Sequence, residues 1–290
     1  MLWESILSCN FLDAVKQCNG VCAIPIGCLE AHGTHLPLGC DTIKALEFVR
    51  RAAEEEPVCV FPPLYFGEKS GAGEFPGTVI FPTPLICQIL EQCCNEIARN
   101  GFKKIVLVTS HGGNRGFVNT FCRYMLTKKN DFLVYHYYQS MPGPSAIVAQ
   151  PEQFPYLSEQ EFSFLKNAAE NKIADGGHGG FVETSNLYDI CPEWIDLNRF
   201  NTVDGSSTHR MDEFSRLKID HPFTWMANFP NSLDSKGNYP TEMITPNIAK
   251  AFAQATVSLT KEVFHFLREE TISTDYHAEW LKKQIPHTVE

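Results

Sequence analysis

No stretch of the 290-residue chain approaches the roughly 18 uninterrupted apolar residues that a membrane-spanning helix needs, which argues against a bilayer-embedded protein. No run of Lys or Arg exceeds two residues and the formal net charge is -10, so the chain carries no electrostatic footprint for nucleic acid or an anionic membrane. Its eleven cysteines are odd in number, spread from Cys9 to Cys191, and include no C-x-x-C pair. That pattern disfavours both a disulfide framework and a zinc ribbon. The opening segment, MLWESILSCNFLDAVKQC, lacks a basic region ahead of a long apolar run, so a soluble, cytoplasmic protein is expected. Phosphate-cradling loops of the G-x-x-x-x-G-K-[ST] and G-x-G-x-x-G kinds are missing, as is the G-x-S-x-G nucleophile elbow. A small-molecule ligand is the class left standing.

What is present is a repeated alternation of β-rich runs and helical patterns. VCAIPIG (21–27), VCVFPPLYFG (58–67), KKIVLVTS (103–110) and FLVYHYY (132–138) read as strands, the second passing into a loop. Helices are expected over 42–56, 84–100, 115–128, part of 154–172, and 245–270. Leu85, Ile89, Leu90, Cys93 and Ile97 mark one face of the second of these, which Asn100-Gly101 should stop. Thr245 and Pro246 are suited to open the last. Alternation of this kind predicts an α/β fold, a mostly parallel central sheet covered by helices, in one domain over 1–290. Residues 199–245, rich in Asp, Asn, Ser, Pro and Gly, are expected to form a wall or lid of the site.

Polar clusters follow the strands. Glu30, His32, His35 and Asp41 come after the first, GEKSGAGEFPGT after the second, SHGGN after the third, and DGGHGGFVETS (175–185) further on. In a parallel sheet these converge at the carboxyl edge, where ligands bind. Glu30 and His32, two apart, point the same way in an extended segment. With Asp41, His111 and Glu183 they make a set of two imidazoles and three carboxylates. Three carboxylates carry -3, too much for an unpaired cluster, whereas two divalent cations bring +4 and leave room for one hydroxide, with Asp41 able to bridge. Mixed oxygen and nitrogen donors suit Zn, Mn or Fe. Cys28 and Cys40 are read as packing groups, Cys40 and Asp41 pointing opposite ways in an extended segment. His35 is read as orienting the loop or the substrate, and Glu74 and Asn114 as candidates to position substrate. His136, His265, His277 and His287 are read as ordinary residues outside the site, the last two at the surface.

In order, PIGCLEAHGTHLPLGCDT, FPGT (75–78), SHGGN (110–114) and GHGGFVETS (177–185) resemble the blocks of the creatininase (creatinine amidohydrolase) family. The resemblance runs across residues 25–185 and its most specific part is E-x-H-G-x-H-x-P-x-x-x-D. It implies a three-layer α/β/α domain and a dinuclear centre. One ion would be held by Glu30, Asp41 and His111, the other by His32, Asp41 and Glu183, with His178 moving a proton. It also implies a homo-oligomer, often a hexamer, acting through a metal-bridging hydroxide on an amide C–N bond of a cyclic amide, a formamide or a peptide. The chain departs from creatininase proper at Gly112-Gly113, where that enzyme has Tyr and Glu, at Ala174 in place of a substrate-covering Trp, and at Ala72-Gly73-Glu74, where relatives carry a His. The expectation is therefore a metal-dependent hydrolase of a small cyclic amide or formamide, with creatinine a poor substrate. The alternatives are creatinine amidohydrolase proper, a peptidase-like relative trimming a modified peptide, and a non-catalytic metal- or metabolite-binding homologue.

Overall fold

The structure, a computed structural model, describes residues 1–69, 71–171, 177–235 and 239–284. Ala174 and His287 lie outside the described residues.

Four strands, β1 (Val21–Ile26), β2 (Cys59–Val60), β3 (Lys104–Thr109) and β4 (Leu133–Tyr138), form one sheet in the order β2-β1-β3-β4, every neighbouring pair parallel. β1 and β3 run in register from Val21 opposite Lys104 to Ile26 opposite Thr109, so their carboxyl ends are level. Both strands are buried along their whole length, as unbroken apolar and β-branched runs require. β2 is shorter than its apolar run because Pro62 and Pro63 follow, and neither can donate to the ladder.

The helices in chain order are α1 (Phe11–Gln17), α2 (Cys40–Glu55), α3 (Thr83–Arg99), α4 (Asn114–Thr127), α5 (Pro144–Val148), α6 (Glu159–Glu170), α7 (Phe181–Tyr188), α8 (Asp212–Arg216), α9 (Thr224–Asn228), α10 (Pro246–Glu269) and α11 (Ile272–Lys283). The two-residue period of the strands sorts them into layers. Cys22, Ile24, Ile105 and Leu107 meet Ile86, Leu90, Cys94 and Ile97 of α3 and Val118 and Phe121 of α4. Val21, Ala23, Val106 and Val108 face the other way, onto Val49, Ala52 and Ala53 of α2 and Phe264 and Leu267 of α10. The result is the α/β/α arrangement. A further apolar cluster, with Ile147, Leu165, Phe181 and Phe252, joins α5, α6 and α7 to α10. No helix among the described residues is long and apolar enough to cross a membrane.

Three details differ from the sequence pattern. The buried face of α3 is Ile86, Leu90, Cys94 and Ile97, so the stripe shares Leu90 and Ile97 with the expected one but takes Ile86 and Cys94 in place of Leu85 and Cys93, leaving Leu85 exposed. α2 begins at Cys40 rather than Thr42, so Asp41 sits in a helical first turn instead of an extended segment. His277, expected at the surface, is instead buried against Trp280 in α11.

Candidate metal centre

The chain leaves β1 at Ile26 and crosses the carboxyl edge of the sheet, placing Glu30 and His32 with no exposed surface. Asp41 joins them from the first turn of α2, where a carboxylate is favoured by the helix dipole. His111 arrives two residues after β3. A Cβ at Gly113 would lie 2.5 Å from His111 Nε2 and 3.0 Å from the Glu68 carbonyl, so the tight turn into α4 needs glycine there. Glu183 comes from the first turn of α7, its Oε2 accepting the Gly179 N–H at 2.6 Å. Gly179 itself adopts φ +67°.

The five residues converge around Asp41. His111 Nδ1 lies 2.8 Å from Glu30 Oε1 and 3.0 Å from Asp41 Oδ2. His32 Nε2 lies 3.4 Å from Asp41 Oδ1 and 3.7 Å from Glu183 Oε2. The remaining nitrogen of each ring is already committed. His111 Nε2 is 3.1 Å from the Glu68 carbonyl and His32 Nδ1 is 3.2 Å from the Glu30 carbonyl, and a carbonyl can only accept. Each neutral ring therefore turns a lone pair toward carboxylate oxygens, and only a proton or a cation can lie between them. His32 Nε2, fully buried, has no hydrogen-bond partner among the described residues. Glu30, Asp41 and His111 thus bring their donor atoms close enough together to suit a divalent cation, and His32 and Glu183 form a neighbouring group with Cys40.

Without an ion, the carboxylates hold protons on the rings instead. Burial works against a charged His111, but Glu30 and Asp41 outweigh it and its pKa is pushed up to about 10. Burial likewise opposes the charged form of His32, and Asp41 and Glu183 raise it to about 9. Burial also opposes ionisation of Asp41, yet His32, His111 and Lys44 hold it well below the usual carboxylate range.

His178, also named by the sequence, stacks on His32 with ring centroids 3.9 Å apart and meets the edge of Trp225 at 4.8 Å. Its Nε2 is 2.7 Å from the Ala31 carbonyl, which fixes Nε2 as the protonated nitrogen and leaves Nδ1 unprotonated, 4.0 Å from Glu30 Oε1. Burial, with the neighbouring His32, lowers its pKa to about 4.

The other candidates fall elsewhere. His35 is buried beneath the site, its Nε2 2.9 Å from Thr184 Oγ1 and its ring against Phe200. Glu74 is exposed on its loop. Asn114, fully buried at the start of α4, accepts the Glu68 N–H at 2.8 Å and ties two loops together. The thiols stand closer to the chemistry than packing groups need to. Cys28 donates to Asp41 Oδ2 at 3.3 Å, and Cys40 lies within reach of His32 and Glu183. Burial pushes both thiols well above their ordinary pKa, so they are neutral neighbours in this state.

Sequence reasoning missed two lysines. Lys44, fully buried on α2, pairs with Glu183 Oε1 and lies 3.6 Å from Asp41 Oδ1. Lys69 pairs with Glu30 Oε2 and lies over the Trp225 ring. The signal for Lys44 was its place three residues after Asp41, on the helix face shared with Cys40 and Phe48. Above the cluster opens a cavity of about 740 Å³ walled by Asp41, His111, His178 and Glu183 below and by Tyr138, Trp225 and Phe229 around. The expected wall from 199–245 is there: Asp220, His221 and Pro222 with α9 line one side.

These features define a three-layer α/β/α protein with a buried carboxylate and imidazole cluster at the carboxyl edge of a parallel sheet. The Creatininase family model, described as creatinine amidohydrolase, matches residues 7–265, and the chain belongs to that family. It is similar to a creatinine amidohydrolase of Pseudomonas putida, 27% identical over 191 residues, which cover 62% of this chain and 67% of the relative. A mycofactocin precursor peptide peptidase of Mycolicibacterium smegmatis is 35% identical over 100 residues, or 31% of this chain and 39% of the relative. Among solved structures, a glutamate-to-glutamine mutant creatininase of Zn-Zn type superposes with a TM-score of 0.62 at 22% identity, covering 91% of this chain and 98% of that one. A creatininase with Mn superposes at 0.58 and 21% identity, covering 88% and 96%. At such identities the structural likeness establishes the fold.

Proposed function

We propose that this chain is a metal-dependent amidohydrolase that cleaves a non-peptide C–N bond of a small cyclic amide or formamide. The observation that carries the reading is the pair of imidazole lone pairs, each locked by a backbone carbonyl and aimed at carboxylates. Glu30, Asp41 and His111 would hold one divalent ion, and the family resemblance implies a second on His32, Asp41 and Glu183. When bound, such an ion supplies a Lewis acid for the amide carbonyl and lowers the pKa of a coordinated water.

The protein's own groups account for the proton. His178 Nδ1 is the open basic nitrogen beside Glu30, since its Nε2–H is spent on Ala31. It takes the proton from the attacking water and returns it to the leaving nitrogen, the ordinary service of a positioned imidazole. Its second contact, Ser232 Oγ at 3.3 Å, adds to the hold on the ring. Trp225, Phe229 and Tyr138 offer an apolar wall to the substrate body.

A second reading, trimming of a modified peptide, is favoured by one observation. The cavity of about 740 Å³ is far larger than a single five-membered cyclic amide requires. A screen of the full chain, stripped by chelator and reloaded with Zn or Mn, against cyclic amides, formamides and short peptides separates the two. Hydrolysis of a small amide by the loaded protein alone is the expected result, with creatinine poor. Release of residues from peptides would move the assignment to the second reading, and no turnover of any class would refute both. His178→Asn should lower kcat by about 100-fold, the usual worth of a positioned base, with ion content unchanged.

A further inference from the structure

The resemblance gives two ions to this site, but the chain has placed an ammonium in the space between two of the ligands. We propose that it holds a single divalent ion, on Glu30, Asp41 and His111, and that the Lys44 side chain takes the place of the second between Asp41 and Glu183. This rests on the metal-dependent reading above.

Lys44 has no exposed surface and is among the largest fully buried side chains of the described residues. It pairs with Glu183 Oε1 and sits 3.6 Å from Asp41 Oδ1, which are carboxylates of the second ligand set. A second ion between His32 Nε2, Asp41 Oδ1 and Glu183 Oε2 would lie directly beside this ammonium, which is sealed in the interior. Met141 Sδ, 3.8 Å away, offers no replacement anion. A buried ammonium stripped of its counter-charge is strongly disfavoured.

At the first position the neighbouring ammonium is that of Lys69, which is partly exposed and can withdraw toward solvent. Lys69 takes Glu30 Oε2 and leaves Oε1 facing His111 Nδ1, and Lys44 takes Asp41 Oδ1 and leaves Oδ2 facing the same nitrogen. The two lysines thus divide each carboxylate between an ammonium and the ion. Charge agrees with geometry. Three carboxylates carry -3 and the two ammoniums return +2, so one dication leaves an excess of +1, whereas two leave +3 in a site with almost no exposed surface.

The test counts ions. The full chain is stripped with chelator, reloaded with excess ZnCl2 or MnCl2, desalted, and analysed by mass spectrometry of the metal, with electron paramagnetic resonance of the Mn form. The expected result is one ion per chain and the signal of an isolated Mn ion. Lys44→Met should raise the count to two and couple the spins. Two ions in the unmodified chain would overturn the inference and leave the metal-dependent reading intact, while no ion at all would overturn both. A folded Lys44→Met chain that still takes one ion would also overturn the role given to Lys44. Should that variant fail to fold, the count for the unmodified chain decides alone.

Discussion

At His32 and His111 a proton and a metal ion compete for the same lone pair. With no ion bound, the folded-state pKa values are pushed up to about 9 and about 10, above the ordinary imidazole value near 6.5. A raised folded pKa adds stability that is fully present below the unfolded value and is lost as pH rises through the folded one. The metal-free chain should therefore lose stability between about pH 6.5 and pH 10, seen as a falling urea midpoint. The loaded chain should not, because a ligating imidazole has already given up its proton. A flat midpoint for the metal-free form across that range would show that these rings are neutral without an ion.

Among the elements, α10 shows how a short signal places a long helix. Thr245 caps it by accepting the Ile248 N–H at 3.2 Å, and its hydroxyl also reaches Glu161 of α6. Thr245→Ala should cost about 1 kcal/mol for the cap, measured as a shift of the urea midpoint with little change in slope. The strands were equally legible, because a parallel strand buried on both faces has an apolar, β-branched interior, and VCAIPI and the IVLV of β3 supply it. α2 was harder. Its first turn contains Asp41 and its buried face contains Lys44, two charges that a hydrophobic stripe cannot account for until Glu183 arrives from 139 residues further along. A lysine inside an amphipathic pattern reads as solvated, and only the tertiary contact says otherwise.

For the whole molecule, the centre joins segments that are far apart in sequence: the β1 exit, the start of α2, the β3 exit and the first turn of α7. Glu30, His32 and His111 could be expected to meet because the ends of β1 and β3 share an edge, whereas His178 and Glu183 follow no strand of the sheet among the described residues and were named from their glycine-rich segment and the family resemblance. Lys69 was not readable, since it comes from an irregular loop, and Trp225 was not, since α9 is five residues long and too short to show a period. An ion bridging such distant segments stabilises the folded state by mass action. At free ion about 100 times Kd the gain is about 2.7 kcal/mol, so chelation should lower Tm by roughly 5 to 10 °C. Scanning calorimetry with and without chelator measures this, and an unchanged Tm would mean that the loops hold their places without metal.

The three imidazoles of the centre are aimed by the main-chain carbonyls of Glu30, Ala31 and Glu68. Main-chain acceptors are present whatever residue occupies a position, so drift in the surrounding side chains leaves the tautomers as they are. Substitutions in the wall around Trp225 should therefore leave the orientation of the three rings beneath it unchanged.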